Sequence, residues 1–140
     1  MTQINPYLNF NGQCREAMTF YKQCLGGELT LQTVGESPMA GQLPPEAKET
    51  IMHSTLIKEG LIIMASDMNR GNLVNGNTVS LCVNCSSADE IKMFFSNLSS
   101  GGKISDPLAE QFWGATYGAL TDKYGKTWMF NYDKNAAKQK

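Results

Sequence analysis

The sequence predicts an α+β fold: two tandem strand-helix-strand-strand-strand modules forming a curved mixed sheet with the helices on its outside. Three observations predict it. A helical apolar stripe closed by paired glycines occurs twice, a strand pair with a glycine turn follows each helix, and a Gly/Asn-rich stretch separates the halves.

The segment INPYLNF opens the first module as a strand. Residues Cys14 to Leu31 then read as an amphipathic helix followed by a strand. Ala17, Phe20, Tyr21, Cys24 and Leu25 fall on one helical face, and Gly26 and Gly27 stop the helix. Between this strand and the next lies ESPMAGQLPPEAKE (Glu36 to Glu49), a polar loop with three prolines and of a length common in functional loops. IMHSTLIK and LIIMASD alternate like strands and turn at Glu59-Gly60. GNLVNGN (71–77) reads as a linker. TVSLCVN opens the second module. Ser87 and Glu90 have capping-box spacing, and Ile91, Phe94, Phe95 and Leu98 repeat the stripe before Gly101 and Gly102. The last hairpin pairs GATYGALTDK with KTWMFNY and turns at Tyr124-Gly125. Glu16, Phe20 and Tyr21 of the first helix thus recur as Glu90, Phe94 and Phe95. The predicted organisation is a first module over 1–70, a linker over 71–77, a second module over 78–134 and a flexible tail over 135–140. Neither half has enough core alone, so both make one domain whose concave side is the expected ligand cavity.

Composition removes several function classes. The chain has 140 residues, 41% hydrophobic and 18% charged, with a net charge of −1. That balance supports a core and lacks the basic patch that nucleic acid or an acidic membrane surface requires. There is no apolar run of spanning length and no signal-peptide pattern in MTQINPYLNF, so the expected compartment is the cytoplasm. Its four cysteines are expected as thiols. Cys82 and Cys85 form a CxxC, but on a strand positions three apart face opposite ways, and no second CxxC completes a zinc site. The expected state is two small semi-apolar side chains, one of them in the core.

The stretches PYLNFNG, EAMTFYKQCLGGEL, IMHSTL, LIIMASD and WGATYG with TDKYGKTWMFNY resemble the PhnB-like branch of the vicinal oxygen chelate superfamily. That superfamily contains glyoxalase I, extradiol dioxygenases, fosfomycin-resistance enzymes and bleomycin-binding proteins. Members of the branch often carry a 3-demethylubiquinone 3-methyltransferase label. The resemblance covers nearly the whole chain. It implies a divalent metal that chelates two neighbouring substrate oxygens, held by His and Glu from the first and last strand of each module. Counted from the helices and hairpins, those places fall at Pro6, Met64, Ser80 and Met129. None supplies an imidazole or carboxylate, so no metal and no cofactor is expected, with a divalent metal as the alternative. The superfamily also implies a homodimer, which exposed sheet edges would favour.

The remaining chemistry rests on few residues. His53 is the single histidine. It reads either as a ligand-orienting or proton-donating group at the cavity, or as a hydrogen-bonded strand residue. Asp67 ends a strand at the mouth of the first module and is a ligand-binding candidate, whereas Asp122 precedes a hairpin and reads as a turn cap. Glu110 stands near Trp113 as a possible acid or base. Met64 and Met129 suggest an adaptable apolar floor. On the final strand Trp128 and Phe130 are expected to pack under the second helix against Phe94 and Phe95, with Met129 facing the cavity. Trp113 and Tyr117, four apart on one strand, would share a face. The ligand-binding candidates are therefore His53, Met64, Asp67, Trp113, Tyr117 and Met129, with no metal ligands and no assigned catalytic residue.

Three functions compete. One is a protein, enzymatic or not, that binds a small apolar or aromatic molecule without the superfamily metal. Another is a metal-dependent lyase, transferase or dioxygenase with unusual ligands such as His53 with Asp67 or Glu110. The third is an interaction module with a degenerate pocket.

Overall fold

A computed structural model describes residues 2–42, 44–45, 48–68 and 72–134, and for Met39 and Ala40 the backbone alone. The predicted tail over 135–140 and the start of the predicted linker, Gly71, lie outside the described residues. The chain divides into two compact units, Met1–Val74 and Asn75–Lys140. The first holds β1 (Tyr7–Asn9), α1 (Cys14–Leu25), β2 (Glu28–Thr33), β3 (Ile51–Lys58) and β4 (Leu61–Ser66). The second holds β5 (Leu81–Asn84), α2 (Ala88–Ser99), β6 (Lys103–Glu110), β7 (Ala115–Thr121) and β8 (Thr127–Asp133). No described helix is long and apolar enough to cross a membrane.

Each unit carries its own four-stranded mixed sheet, ordered β1-β4-β3-β2 in the first and β5-β8-β7-β6 in the second. Hydrogen bonding thus assigns the strands to two sheets of one topology. In each, the first strand runs parallel to the last and the other pairs are antiparallel. The strand before each helix is shorter than the sequence suggests. INPYLNF contributes only Tyr7–Asn9, and TVSLCVN only Leu81–Asn84. Pro6 has no N–H to donate, but its carbonyl accepts from Met64 N at 3.0 Å. The Pro-rich loop is not featureless: short 3-10 turns cover Val34–Glu36 and Pro38–Gln42. Glu36 Oε1 accepts from Thr33 N at 3.0 Å and from Thr33 Oγ1 at 2.9 Å. These two bonds hold its carboxyl below the usual range.

Helix α2 buries all four residues of its predicted stripe, whereas on α1 Phe20 is half-buried and the buried face shifts to include Cys14 and Met18. Cys14, Ala17, Met18, Tyr21, Cys24 and Leu25 of α1 are buried, as are Ile91, Phe94, Phe95 and Leu98 of α2. Under α1 lie Leu56, Ile63 and Ala65 of β3 and β4, with Cys14 Sγ 3.5 Å from Ser54 Oγ. Under α2 lie Trp128 and Phe130 of β8, with Phe95 edge-on to Phe130 at 5.6 Å between ring centroids. Burying one such large side chain stabilises by about 1.5–3 kcal/mol, so these contacts fix which sheet face meets the helix. Paired glycines make the same close passage after both helices. A Cβ on Gly27 would strike the Ile57 carbonyl, and one on Gly102 would strike that of Thr121.

Candidate functional site

Strand alternation leaves each sheet one face turned away from its helix. In the first sheet, cross-strand pairing lines up Tyr7, Met64, Thr55 and Thr30 on that open face. Beside this row, His53 pairs with Gln32. The Tyr7 and His53 rings lie 6.0 Å apart and tilted by 32°. His53 and Met64 are half-buried, and Tyr7 is 43% exposed. The register shifts between Gln32 and Thr33, which pair with His53 and Ile51, so Met52 is the extra residue of a bulge in β3. The bulge lets Ile51 bury on the helix side while His53 stays on the open one.

In the second sheet the open face carries Cys82, Met129 and Ala119 in one row and Asn84, Asn131 and Tyr117 in the next. Cys82 and Asn84 are exposed, and Met129, Asn131 and Tyr117 are half-buried. Burial, then the nearby Asp106 and Cys82, raise the Tyr117 hydroxyl above its ordinary pKa. The CxxC thiols part as the strand reading expects, Cys82 exposed and Cys85 buried. Burial pushes Cys85 up to about 12 and Cys14 up to about 11, so both are inert thiols at neutral pH.

The sequence count of metal positions needs correction in two places. The residue across from Met64 on the open face is Tyr7, not Pro6, and the residue across from Met129 is Cys82, not Ser80. Four residues, 10–13, separate β1 from α1, but only three, 85–87, separate β5 from α2. A helix-based count therefore cannot transfer between the modules.

A hard divalent cation does not fit these pairs. Phenol with thioether, and thiol with thioether, lack the imidazole and carboxylate that such a cation takes. Among the described residues no three His, Cys, Asp or Glu side chains stand together.

Asp67 has a different set of partners from those the sequence suggests. Its Oδ1 accepts from Gly12 N at 2.9 Å and Cys14 N at 3.0 Å, and its Oδ2 from Ile51 N at 3.1 Å. The carboxylate thereby supplies the start of α1 with the acceptor that Gln13, at the N-cap, does not provide. Asp122 is buried and holds its hairpin: Oδ1 accepts from Tyr124 N at 2.8 Å and Lys126 N at 3.1 Å, and Oδ2 from Trp128 Nε1 at 2.8 Å. The turn-cap reading of Asp122 holds. The indole bond was not legible, because alternation alone gives no direction to a ring nitrogen.

Trp113 and Tyr117 do not share a strand. β7 starts at Ala115, so Trp113 sits on the preceding turn, 54% exposed and edge-on to Phe112 at 5.0 Å. Gly114, at φ 95°, breaks the strand between them. Glu110 pairs with Thr116 on the exposed edge strand β6. Met129 lies between the buried Trp128 and Phe130, as the alternation predicts.

The family model described as 3-demethylubiquinone-9 3-methyltransferase matches residues 2–130. The chain belongs to that family. Protein YjdN of Escherichia coli (strain K12) is 32% identical over 97% of this chain and 99% of its own length. Among solved structures, protein PA1353 from Pseudomonas aeruginosa is 38% identical with a TM-score of 0.83, covering 95% of this chain and 98% of that one. A putative 3-demethylubiquinone-9 3-methyltransferase, PhnB protein, from Bacillus cereus is 27% identical with a TM-score of 0.74, covering 94% and 99%. Fold likeness extends to the fosfomycin resistance protein FosX of Listeria monocytogenes, at 10% identity and a TM-score of 0.64 over 96% and 94% of the chains. The fold is thus shared with FosX and with a glyoxalase/bleomycin resistance protein/dioxygenase from Nocardioides, the latter at 17% identity and a TM-score of 0.58 over 97% and 87% of the chains.

Proposed function

We propose that this PhnB-like chain binds a small apolar or aromatic molecule on the open sheet faces and does so without the superfamily's metal. The observation that supports it is the donor set at the strand pairs Tyr7/Met64 and Cys82/Met129. These replace hard-cation ligands with polarizable, adaptable groups that suit an apolar partner. The alternative metal set of His53 with Asp67 is weakened by the three backbone N–H groups already bound to the Asp67 carboxylate.

A thermal-shift screen of divalent metals and aromatic metabolites tests the proposal. A ligand that binds only the folded chain raises its melting temperature. Aromatic compounds should raise it and Zn, Ni, Mn or Fe salts should not. Stoichiometric metal that survives extensive washing and disappears in His53→Ala overturns the reading in favour of a metal enzyme. We propose with it a cytoplasmic homodimer, and a monomeric mass by light scattering overturns that assembly.

A further inference from the structure

We propose that the open face of the first sheet takes an uncharged, flat aromatic molecule with one hydrogen-bonding edge. The inference rests on the binding function just proposed and narrows its ligand class. The stacking surface is Tyr7, whose exposed ring stands 6.0 Å from that of His53 at a shallow tilt of 32°. Aromatic groups favour offset stacking at such spacings. Met64, paired with Tyr7, adds a thioether beside the ring. The hydrogen-bonding edge is Gln32 with His53, directly opposite one another on β2 and β3. Side chains opposite one another in this way lie about 5 Å apart, and an amide next to an imidazole offers both donors and acceptors.

Charge sets the rest of the ligand class. Among the described residues of this face, the only carboxylate is Glu28, at the other end of β2 from Gln32 and about 13 Å along the strand. Among the described strand residues of this face there is no Lys or Arg. Lys58 Nζ donates to the Leu25 carbonyl at 3.1 Å, and Arg15 Nη2 meets Glu49 Oε2 at 3.5 Å. An anionic ligand lying over Tyr7 would lose hydration and find no countercharge on these strands. The Asp67 carboxylate, turned to the start of α1, does not offer a cation a partner here.

The test uses the full chain labelled with 13C-methyl methionine, with the Met64 methyl assigned from Met64→Leu. It is titrated with 1-naphthol and, separately, with 1-naphthoate at neutral pH. The expected result is that 1-naphthol moves the Met64 methyl and naphthoate needs about tenfold more to do so. Tyr7→Leu should weaken naphthol about tenfold, and Gln32→Leu about fivefold. Both side chains are exposed, and a melting curve confirms that each variant folds. Equal binding of naphthoate overturns the charge argument while leaving small-molecule binding intact. Movement of another methionine methyl in place of Met64 moves the ligand off this face and overturns the inference alone. Undiminished binding in Tyr7→Leu removes the stacking. If no methyl moves with either probe, this inference and the binding function fall together.

Discussion

The two modules solve one problem in different ways. Both helices begin with backbone N–H groups that no earlier turn can satisfy. At α2 the solution is local: Ser87 Oγ accepts from Glu90 N at 3.0 Å, and Glu90 Oε1 accepts from Ser86 N at 2.9 Å and Ser86 Oγ at 3.1 Å. At α1 it is remote: Asp67, at the end of the last strand of the module, reaches back to Gly12 and Cys14. Its other oxygen binds the first residue of β3, Ile51. One carboxylate thereby ties a helix start to two strands. The shared topology does not require a shared cap, because any acceptor placed at the helix start meets the same donors. The difference predicts that the first module loses more than a helix end when its cap is removed.

The largest effect is expected where a carboxylate is both buried and multiply bonded. Asp122→Ala leaves the buried Trp128 indole N–H and two turn N–H groups without their acceptor. Urea unfolding should show a loss of about 3 kcal/mol. Asp67→Ala should follow at about 2 kcal/mol, because its site is partly exposed and water can reach some of the freed donors. A cap that held only the helix would cost less, so a loss under about 1 kcal/mol would reduce Asp67 to an ordinary N-cap and remove the contrast.

What the sequence conveys follows from distance along the chain. The α2 stripe Ile91, Phe94, Phe95 and Leu98 is local, and all four side chains are buried. The alternation of β8 is local too, and it correctly assigns Trp128 and Phe130 to the core. The role of Asp67 depends on partners 53 and 55 residues earlier, and no periodicity encodes them. A helix-based count comes within one residue of Tyr7 but falls two short of Cys82, because the loop before α2 is one residue shorter than the loop before α1. Tyr7 and His53 are close because β1 pairs with β4 and β4 with β3, a crossover that strand patterns do not specify. Trp113 sits outside the strand its pattern suggests because Gly114, at positive φ, separates the turn from β7.

Ser87→Ala sharpens the contrast from the other side. Its Oγ serves one N–H, that of Glu90, and the site is exposed. A loss of about 1 kcal/mol is expected in the same unfolding measurement. Glu90 keeps its bonds to Ser86, so the helix should retain its start, and far-UV circular dichroism should be unchanged. A loss equal to that of Asp67→Ala would mean that local and remote caps carry the same weight.

The hairpins divide in the same manner, with the smallest expected effect. In the second, the positive φ falls on Gly125, at 88°, after a turn closed by Gly125 N to the Asp122 carbonyl at 2.9 Å. In the first, Glu59 takes it, at 51°, although a glycine is its neighbour. A side chain in that region costs about 1 kcal/mol relative to glycine, partly offset by the greater freedom glycine gives the unfolded chain. Glu59→Gly should therefore raise stability by about 0.5 kcal/mol, read as a higher urea midpoint at unchanged slope. Gly60→Ala is the control, since Gly60 is not at positive φ and a Cβ there would meet nothing within 4 Å. It should leave the midpoint unchanged or slightly raised. A lower midpoint in Gly60→Ala together with no gain in Glu59→Gly would mean that Gly60 carries the turn, and the two hairpins would then follow one rule.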